Sequence, residues 1–266
     1  SFLFAFLSFL FAFLSFLFVL LSSEGMIVKT KAIVLHTLKY GERKVIVELL
    51  CRETGRTACI VVMPKTQKGR VQKQALQPLT LLDVELDMRP NVQLQNLRDV
   101  RMSLPFSSIP FSAEKLSIAL FLSEFLYHAT RGEQRNESLF DYVENSITWL
   151  DGCEPPFANF HLVFMMRMAR FIGFYPNVED YMEGDFFDLR DAMFVSDAPR
   201  HSDYLSAPDA QRLSQLVRMG YNTMHLFRMS HSDRVRIAEG IVRYYRLHVA
   251  GFPELRSLAV LKELWR

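Results

Sequence analysis

The chain has 266 residues, half of them hydrophobic, and carries 31 Lys and Arg against 29 Asp and Glu for a formal net charge of +2. That length allows one large or two small domains with a sizeable core, and beyond residue 25 the composition is that of an ordinary soluble protein. The three cysteines, Cys51, Cys59 and Cys153, form neither an even set nor a Cys-x-x-Cys pair. This excludes a disulfide framework and points to reduced thiols, with Cys51 and Cys59 packing as small apolar residues.

Residues 1–21 belong to a different physical class from the rest of the chain: SFLFAFL, SFLFAFL, SFLFVLL, a repeated seven-residue unit without a charge. The run is long enough to cross a bilayer, which takes about 20 apolar residues. No Lys or Arg precedes it and no small-residue cleavage pattern succeeds it. Residues 1–25 are therefore expected to lie outside the functional protein, which starts at Met26; a membrane anchor or an uncleaved signal is the competing reading.

From Met26 the pattern is strand, turn, strand. Ile33, Leu35 and Thr37 alternate with Val34, His36 and Leu38, and Val45, Val47 and Leu49 alternate with Lys44, Ile46 and Glu48. Two neighbouring strands are expected, each turning one face to a small core. Ala58 to Met63, Leu79 to Leu86 and Val92 to Met102 add three more, broken by Gly41, Gly55 and the Pro64 to Gly69 segment. Within Lys65-Thr-Gln-Lys68-Gly-Arg70-Val-Gln-Lys73 four cations occur without a carboxylate, which reads as a basic loop on a small barrel. Between Met26 and Pro105 there are fourteen bases against seven acids, whereas the sequence beyond is net acidic. A basic first domain suggests a polyanionic partner; a solvated face is the alternative.

Leu104-Pro-Phe-Ser-Ser-Ile-Pro-Phe111, with two prolines, reads as a linker. Beyond it the period becomes helical. Ile118, Phe121, Leu122, Phe125 and Ala129 make one apolar stripe, and Leu139, Tyr142, Val143, Ile147 and Leu150 a second. Leu162, Met165, Met166, Ala169 and Ile172 make a third, ending at Gly173. Ser206-Ala-Pro-Asp209 looks like a capping box, and Ser230-His-Ser-Asp233 reads as the cap of the next helix, with a stripe of Ile237, Ile241, Tyr244, Tyr245 and His248. The Phe164-Met165-Met166 run reads as core, with a sticky partner groove as the alternative.

No catalytic constellation emerges: there is no Gly-rich phosphate loop, no Gly-x-Ser-x-Gly and no His-Glu-x-x-His. Asp197, His201 and Asp203 form the nearest metal-like group and read as a solvated loop. Asp185, Asp188 and Asp191, three residues apart, read as an exposed acidic face.

Several of these segments together carry a resemblance. Lys29-Thr-Lys-Ala-Ile-Val-Leu35, Tyr40-Gly-Glu42, Glu53-Thr-Gly-Arg56 and Leu76-Gln-Pro-Leu-Thr-Leu-Leu82 resemble the N-terminal half of the RecO family of bacterial recombination mediators. Phe171-Ile-Gly-Phe-Tyr-Pro-Asn177 and Tyr245-Arg-Leu-His-Val-Ala-Gly-Phe-Pro-Glu-Leu-Arg-Ser257 are similar to landmarks of its C-terminal half. The match runs from Met26 almost to Arg266. It implies an α+β chain: an OB-fold barrel, placed at 26–103, followed by an all-α helical domain at 104–266. It further implies a cytoplasmic, non-enzymatic protein that binds single- and double-stranded DNA and anneals complementary strands. The implied partners are RecR and the single-stranded DNA-binding protein, with loading of RecA. There are two departures from the family pattern. Many relatives carry a four-cysteine zinc module after the segment matching Phe171 to Asn177, and here Val178 to Ser206 has no Cys, so no metal or other cofactor is expected. Where the family often has Gly-x-Arg-Lys, this chain has Met63-Pro-Lys65-Thr.

An OB barrel can hold a strand in a groove where cations track phosphates and flat side chains stack on bases. The candidate DNA-binding residues are Lys39, Tyr40, Arg43, Lys44, Arg56, Lys65, Lys68, Arg70 and Lys73, with Tyr40 either a stacking platform or barrel-rim packing. The alternative from another class is a protein-interaction adaptor, with or without a membrane tether through residues 1–21, whose basic loop binds no DNA.

Overall fold

The computed structural model describes residues 25–64, 73–154 and 156–263. The first five strands are β1 (Met26–Tyr40), β2 (Lys44–Cys51), β3 (Gly55–Val62), β4 (Leu81–Met88) and β5 (Leu94–Leu104). They close into a barrel in the order β1-β2-β3-β5-β4, antiparallel except for β3 against β5. This is OB-fold topology. Closure depends on β1 serving two neighbours. Its first half, Met26 to Ile33, pairs with β4, and its second half, from Ala32 on, pairs with β2. A register irregularity between Val34 and His36 bends the strand where the change occurs, as bulges do.

The expected single buried face for β1 and β2 is not what is found. Ala32, Val34, Val47, Leu49, Cys51, Cys59, Val61, Leu82, Val84 and Leu86 fill the barrel interior. On the opposite face Ile33, Leu35, Leu50, Leu79 and Leu81 join the core of the helical part. Strand alternation assigns the two sets to opposite faces, and both faces are buried because the helices dock on the barrel's outside. Cys51 and Cys59 pack as expected among apolar side chains; burial pushes the Cys51 thiol up to about 11.

The helical part holds α1 (Ala113–Ala129), α2 (Glu137–Gly152), α3 (Phe160–Ile172), α4 (Ala207–Arg218), α5 (His231–His248) and α6 (Arg256–Glu263). All three expected stripes fall on the first three helices, and α3 stops at Gly173, whose φ of 91° suits a residue without Cβ. Helix α1 is the pivot. Ile118, Phe121, Leu122 and Phe125 are fully buried, and Ser123 Oγ donates to the Leu35 carbonyl across the seam at 2.6 Å. Met165 and Met166 are core residues, as expected. The linker is pinned by Asp151, whose carboxylate accepts from the backbone amides of Ser107, Ser108 and Ile109 at 2.8–2.9 Å. Buried Lys115 donates to the Asp151 and Cys153 carbonyls beside it.

Three details differ from expectation. Ser230 and Asp233 form both halves of a capping box at α5, but at α4 the Ser206 hydroxyl bonds the Asp209 carboxylate and caps no amide. The second half is not all helix: β6 (Phe186–Asp188), β7 (Met193–Val195) and β8 (Tyr204–Leu205) form a small antiparallel sheet. Strands of two or three residues are too short to show an alternation in sequence. Asp185 and Asp188 are buried rather than exposed, because their spacing belongs to turns around this sheet. Asp185 accepts from the Met182 amide, and Asp188 accepts from the Arg190 amide and lies 3.1 Å from His201 Nε2. Asp203 pairs with Arg190 at 2.7 Å, so Asp197, His201 and Asp203 do not converge, and among the described residues no group of His, Cys, Asp and Glu is arranged to hold a metal. No helix among the described residues is long and apolar enough to cross a membrane; residues 1–24 lie outside them.

Candidate nucleic-acid interface

Strand pairing lays side chains out in rows on the barrel's outer face, since residues directly opposite one another share a face. At the tip, Tyr40 stands opposite Lys44, and Lys44 opposite Val62. The next row is Leu38, Ile46, Ile60 and Asn96, and the one after it His36, Glu48, Ala58 and Leu94. Below them Leu50 faces Arg56. The intervening residues, Val47, Leu49, Cys59 and Val61, point into the barrel core, which fixes these rows as the outside.

The two ends of this face differ in what covers them. At the Arg56 end the helical part sits on it. The Arg56 Nε donates to Glu48 at 3.1 Å, its Nη1 donates to the Tyr127 carbonyl and the Thr130 hydroxyl, both at 3.1 Å, and its Cζ lies 4.6 Å from the Tyr127 ring centre. Only a tenth of the side chain is exposed, and burial pulls the guanidinium below its ordinary value against the opposing pull of Glu48. His36 packs on Tyr127 with ring centres 4.9 Å apart. Two more barrel cations are taken up nearby: Arg52 by Asp141 and Glu137, both at 2.8 Å, and Lys31 by Glu144 at 2.8 Å. Gly55 lets the chains approach this closely. It holds φ +72°, and a Cβ there would stand 2.4 Å from the Gln134 backbone.

At the hairpin tip the face is open. Tyr40 is 55 % exposed, with Leu38 and Val62 at 54 %. The turn Gly41–Arg43 links β1 to β2, with Gly41 at φ +76°. Lys39, Arg43 and Lys44 are exposed, and none is in an ion pair among the described residues. Arg43 instead closes the turn against β3, its Nη2 donating to the Met63 carbonyl while its own carbonyl accepts from the Met63 amide. Lys73 is exposed at the start of a 3-10 turn, Lys73–Leu76. Lys65, Lys68 and Arg70 lie outside the described residues.

Of the nine candidates, the tip gathers Lys39, Tyr40, Arg43 and Lys44, while Arg56 is held in the seam between barrel and helices. Sequence reasoning missed Asn96 and Arg98 on β5, which the barrel brings beside Lys44. Arg98 bonds Asp87 at 2.8 Å with about half of its side chain exposed. Only the parallel closure of β5 on β3 places it there, and no local pattern announces that pairing.

Comparison with known proteins decides the family. The model described as "Recombination protein O N terminal" matches residues 26–106, and "Recombination protein O C terminal" matches residues 110–259. The chain belongs to the RecO family. It is similar to the DNA repair protein RecO of Bacteroides fragilis, 49 % identical over 241 residues covering 90 % of this chain and all of the relative. Its likeness to the RecO proteins of Phocaeicola vulgatus, 48 % identical over 240 residues, and Porphyromonas gingivalis, 30 % over 246, covers the same shares. Membership places the chain among DNA repair and recombination proteins, and the OB barrel with its helical partner is the architecture this RecO family member adopts. Along Val178 to Ser206 the β6–β8 sheet packs through Phe187, Phe194 and Tyr181, with the Asp188–His201 contact at its turn.

Proposed function

We propose that the open end of the barrel's outer face binds DNA, and that the protein anneals complementary strands and, with RecR and the single-stranded DNA-binding protein, helps to load RecA. The observation that carries this reading is the cluster of Lys39, Arg43 and Lys44 around exposed Tyr40, without a carboxylate partner among the described residues, where Lys29, Lys31, Arg52 and Arg56 of the same barrel each have one. Phosphates that meet such cations release counterions, so binding is strong at low salt and weakens as salt rises. Covering two strands with positive charge also lowers their mutual repulsion, which annealing requires. Both single strands and duplexes present the phosphates this mechanism needs. In sequence, Lys65, Lys68, Arg70 and Lys73 follow Pro64 and add four cations to the candidate set, of which Lys73 lies among the described residues.

The test replaces Lys39, Arg43 and Lys44 together with Ala. DNA affinity falls across sequences, and the slope of log affinity against log salt flattens by roughly 0.7 to 0.9 per lost contact, about 2 to 3 units for all three. Annealing of complementary oligonucleotides slows in parallel. An unchanged slope and annealing rate, with the fold intact, would mean that the tip is not the DNA contact and that the face serves a protein partner.

A further inference from the structure

The parallel pairing of β3 with β5 covers Ala58 opposite Leu94, Cys59 opposite Gln95 and Ile60 opposite Asn96, and then stops. Past that row the strands part, and an open cleft of about 340 Å³ separates Val61 and Val62 from Leu97 and Arg98. Ile60 and Asn96 lie at its inner end, Lys44 and Arg98 line it, and Pro64 leads from it directly into the basic segment at 65–73. The cleft is continuous with the outer face, because Lys44, Ile60, Val62 and Asn96 are members of that face's side-chain rows.

We infer that this cleft takes one nucleotide of a single DNA strand, its base against the aliphatic walls and its flanking phosphates on Lys44 and on the exposed half of Arg98, whose Nη2 stays paired with Asp87. The inference rests on the DNA-binding reading of the tip and adds to it a subsite and a strand preference. Three features support it. The volume is at the low end of the roughly 300–1,000 Å³ typical of small-ligand sites, a size for one nucleotide. The walls are aliphatic while the lining cations are exposed, which matches a base between two phosphates and suits no anion alone. Exposed Asn96 and the strand edges that part beyond the Ile60–Asn96 pair supply donors and acceptors for a base edge. A base in a duplex reaches such a cleft only by leaving its stack and its partner, which costs free energy that an already single strand does not spend. The subsite therefore favours single strands, while the phosphate contacts at the tip serve both forms.

The test uses the full chain with Val62→Met and Asn96→Met together. Both positions are exposed, and the change fills the cleft without altering charge or adding an aromatic ring. Affinity for an oligothymidylate falls about tenfold, in line with the loss of one base contact. Affinity for a duplex of equal length stays within about twofold. A second variant, Arg98→Gln, weakens oligothymidylate binding and lowers its salt slope by roughly 0.7, the value for one phosphate contact on a single strand. Unchanged oligothymidylate affinity in the double variant, or an equal loss on single strand and duplex, overturns the subsite while leaving the DNA reading intact. Failure of the unaltered protein to bind either nucleic acid removes the DNA reading and the subsite with it.

Discussion

At the tip of the β1–β2 hairpin, Lys39, Arg43 and Lys44 stand exposed around Tyr40; a few residue rows away on the same barrel, Lys31, Arg52 and Arg56 are each matched to a carboxylate. The residue types are the same and the local sequence contexts are similar. What separates them is the helical part, which brings Glu137, Asp141 and Glu144 of α2 and the α1–α2 turn against one end of the sheet and leaves the other bare. A surplus of barrel charge thus divides into cations that hold two layers together and cations left for a polyanion. The acidic balance of the second half finds part of its explanation here, as it neutralises the seam.

The sharpest way to break the contrast is at Gly55. Gly55→Ala forces a Cβ into the Gln134 backbone at a residue with positive φ, and the expected loss is on the order of 2–4 kcal/mol, read from the urea midpoint. A nearly unchanged midpoint would mean that the seam is looser than its geometry. Arg56→Met comes next. It leaves Glu48, the Tyr127 carbonyl and Thr130 without their donor in a half-buried place, costing about 2–3 kcal/mol. DNA affinity, corrected for the folded fraction, stays where it was, since this cation faces protein. A large specific drop in DNA binding would move Arg56 from the seam to the interface.

Asp151 sharpens the comparison from the linker side. Burial alone would raise its carboxyl, but donation from the amides of Ile109, Ser107 and Ser108 outweighs that and holds it below its ordinary value of 3.8. A carboxyl depressed on folding contributes stability that is fully present above the unfolded value and is lost as pH falls through the folded one. Asp151→Asn therefore costs about 1–2 kcal/mol at neutral pH. The deficit relative to the unaltered protein shrinks below about pH 4, as the wild-type carboxyl itself takes up a proton. A deficit that stays constant down to about pH 2 would assign the effect to packing. The smallest effect belongs to the tip: Lys39→Ala, Arg43→Ala and Lys44→Ala together move the thermal midpoint by less than about 2 °C, because these charges are exposed and the one bond lost, from Arg43 to the Met63 carbonyl, is solvent-accessible. A larger shift would show that the tip, too, is structural.

Much of the fold was written locally. Five strands, the break in pattern after Leu104, three helical stripes and the cap at Ser230 could all be read because each rests on a period or a cap within a dozen residues. The tip residues were legible for the same reason, since Tyr40-Gly-Glu-Arg-Lys44 is a turn between two alternating runs. The motifs that resemble RecO likewise sit in strands, the tight turns that join them and helix ends, each a short local stretch. Tertiary structure alone decided the rest. That Ile33, Leu35 and Leu50 face a second core, that Arg56 is a seam residue, that Asp188 is buried and that Asn96 and Arg98 stand beside Lys44 all result from contacts between segments far apart in the chain. Alternation tells which side chains share a face of a strand, but whether that face meets solvent, helices or DNA depends on what packs against it. The energy of those long-range contacts appears only when the chain closes on itself.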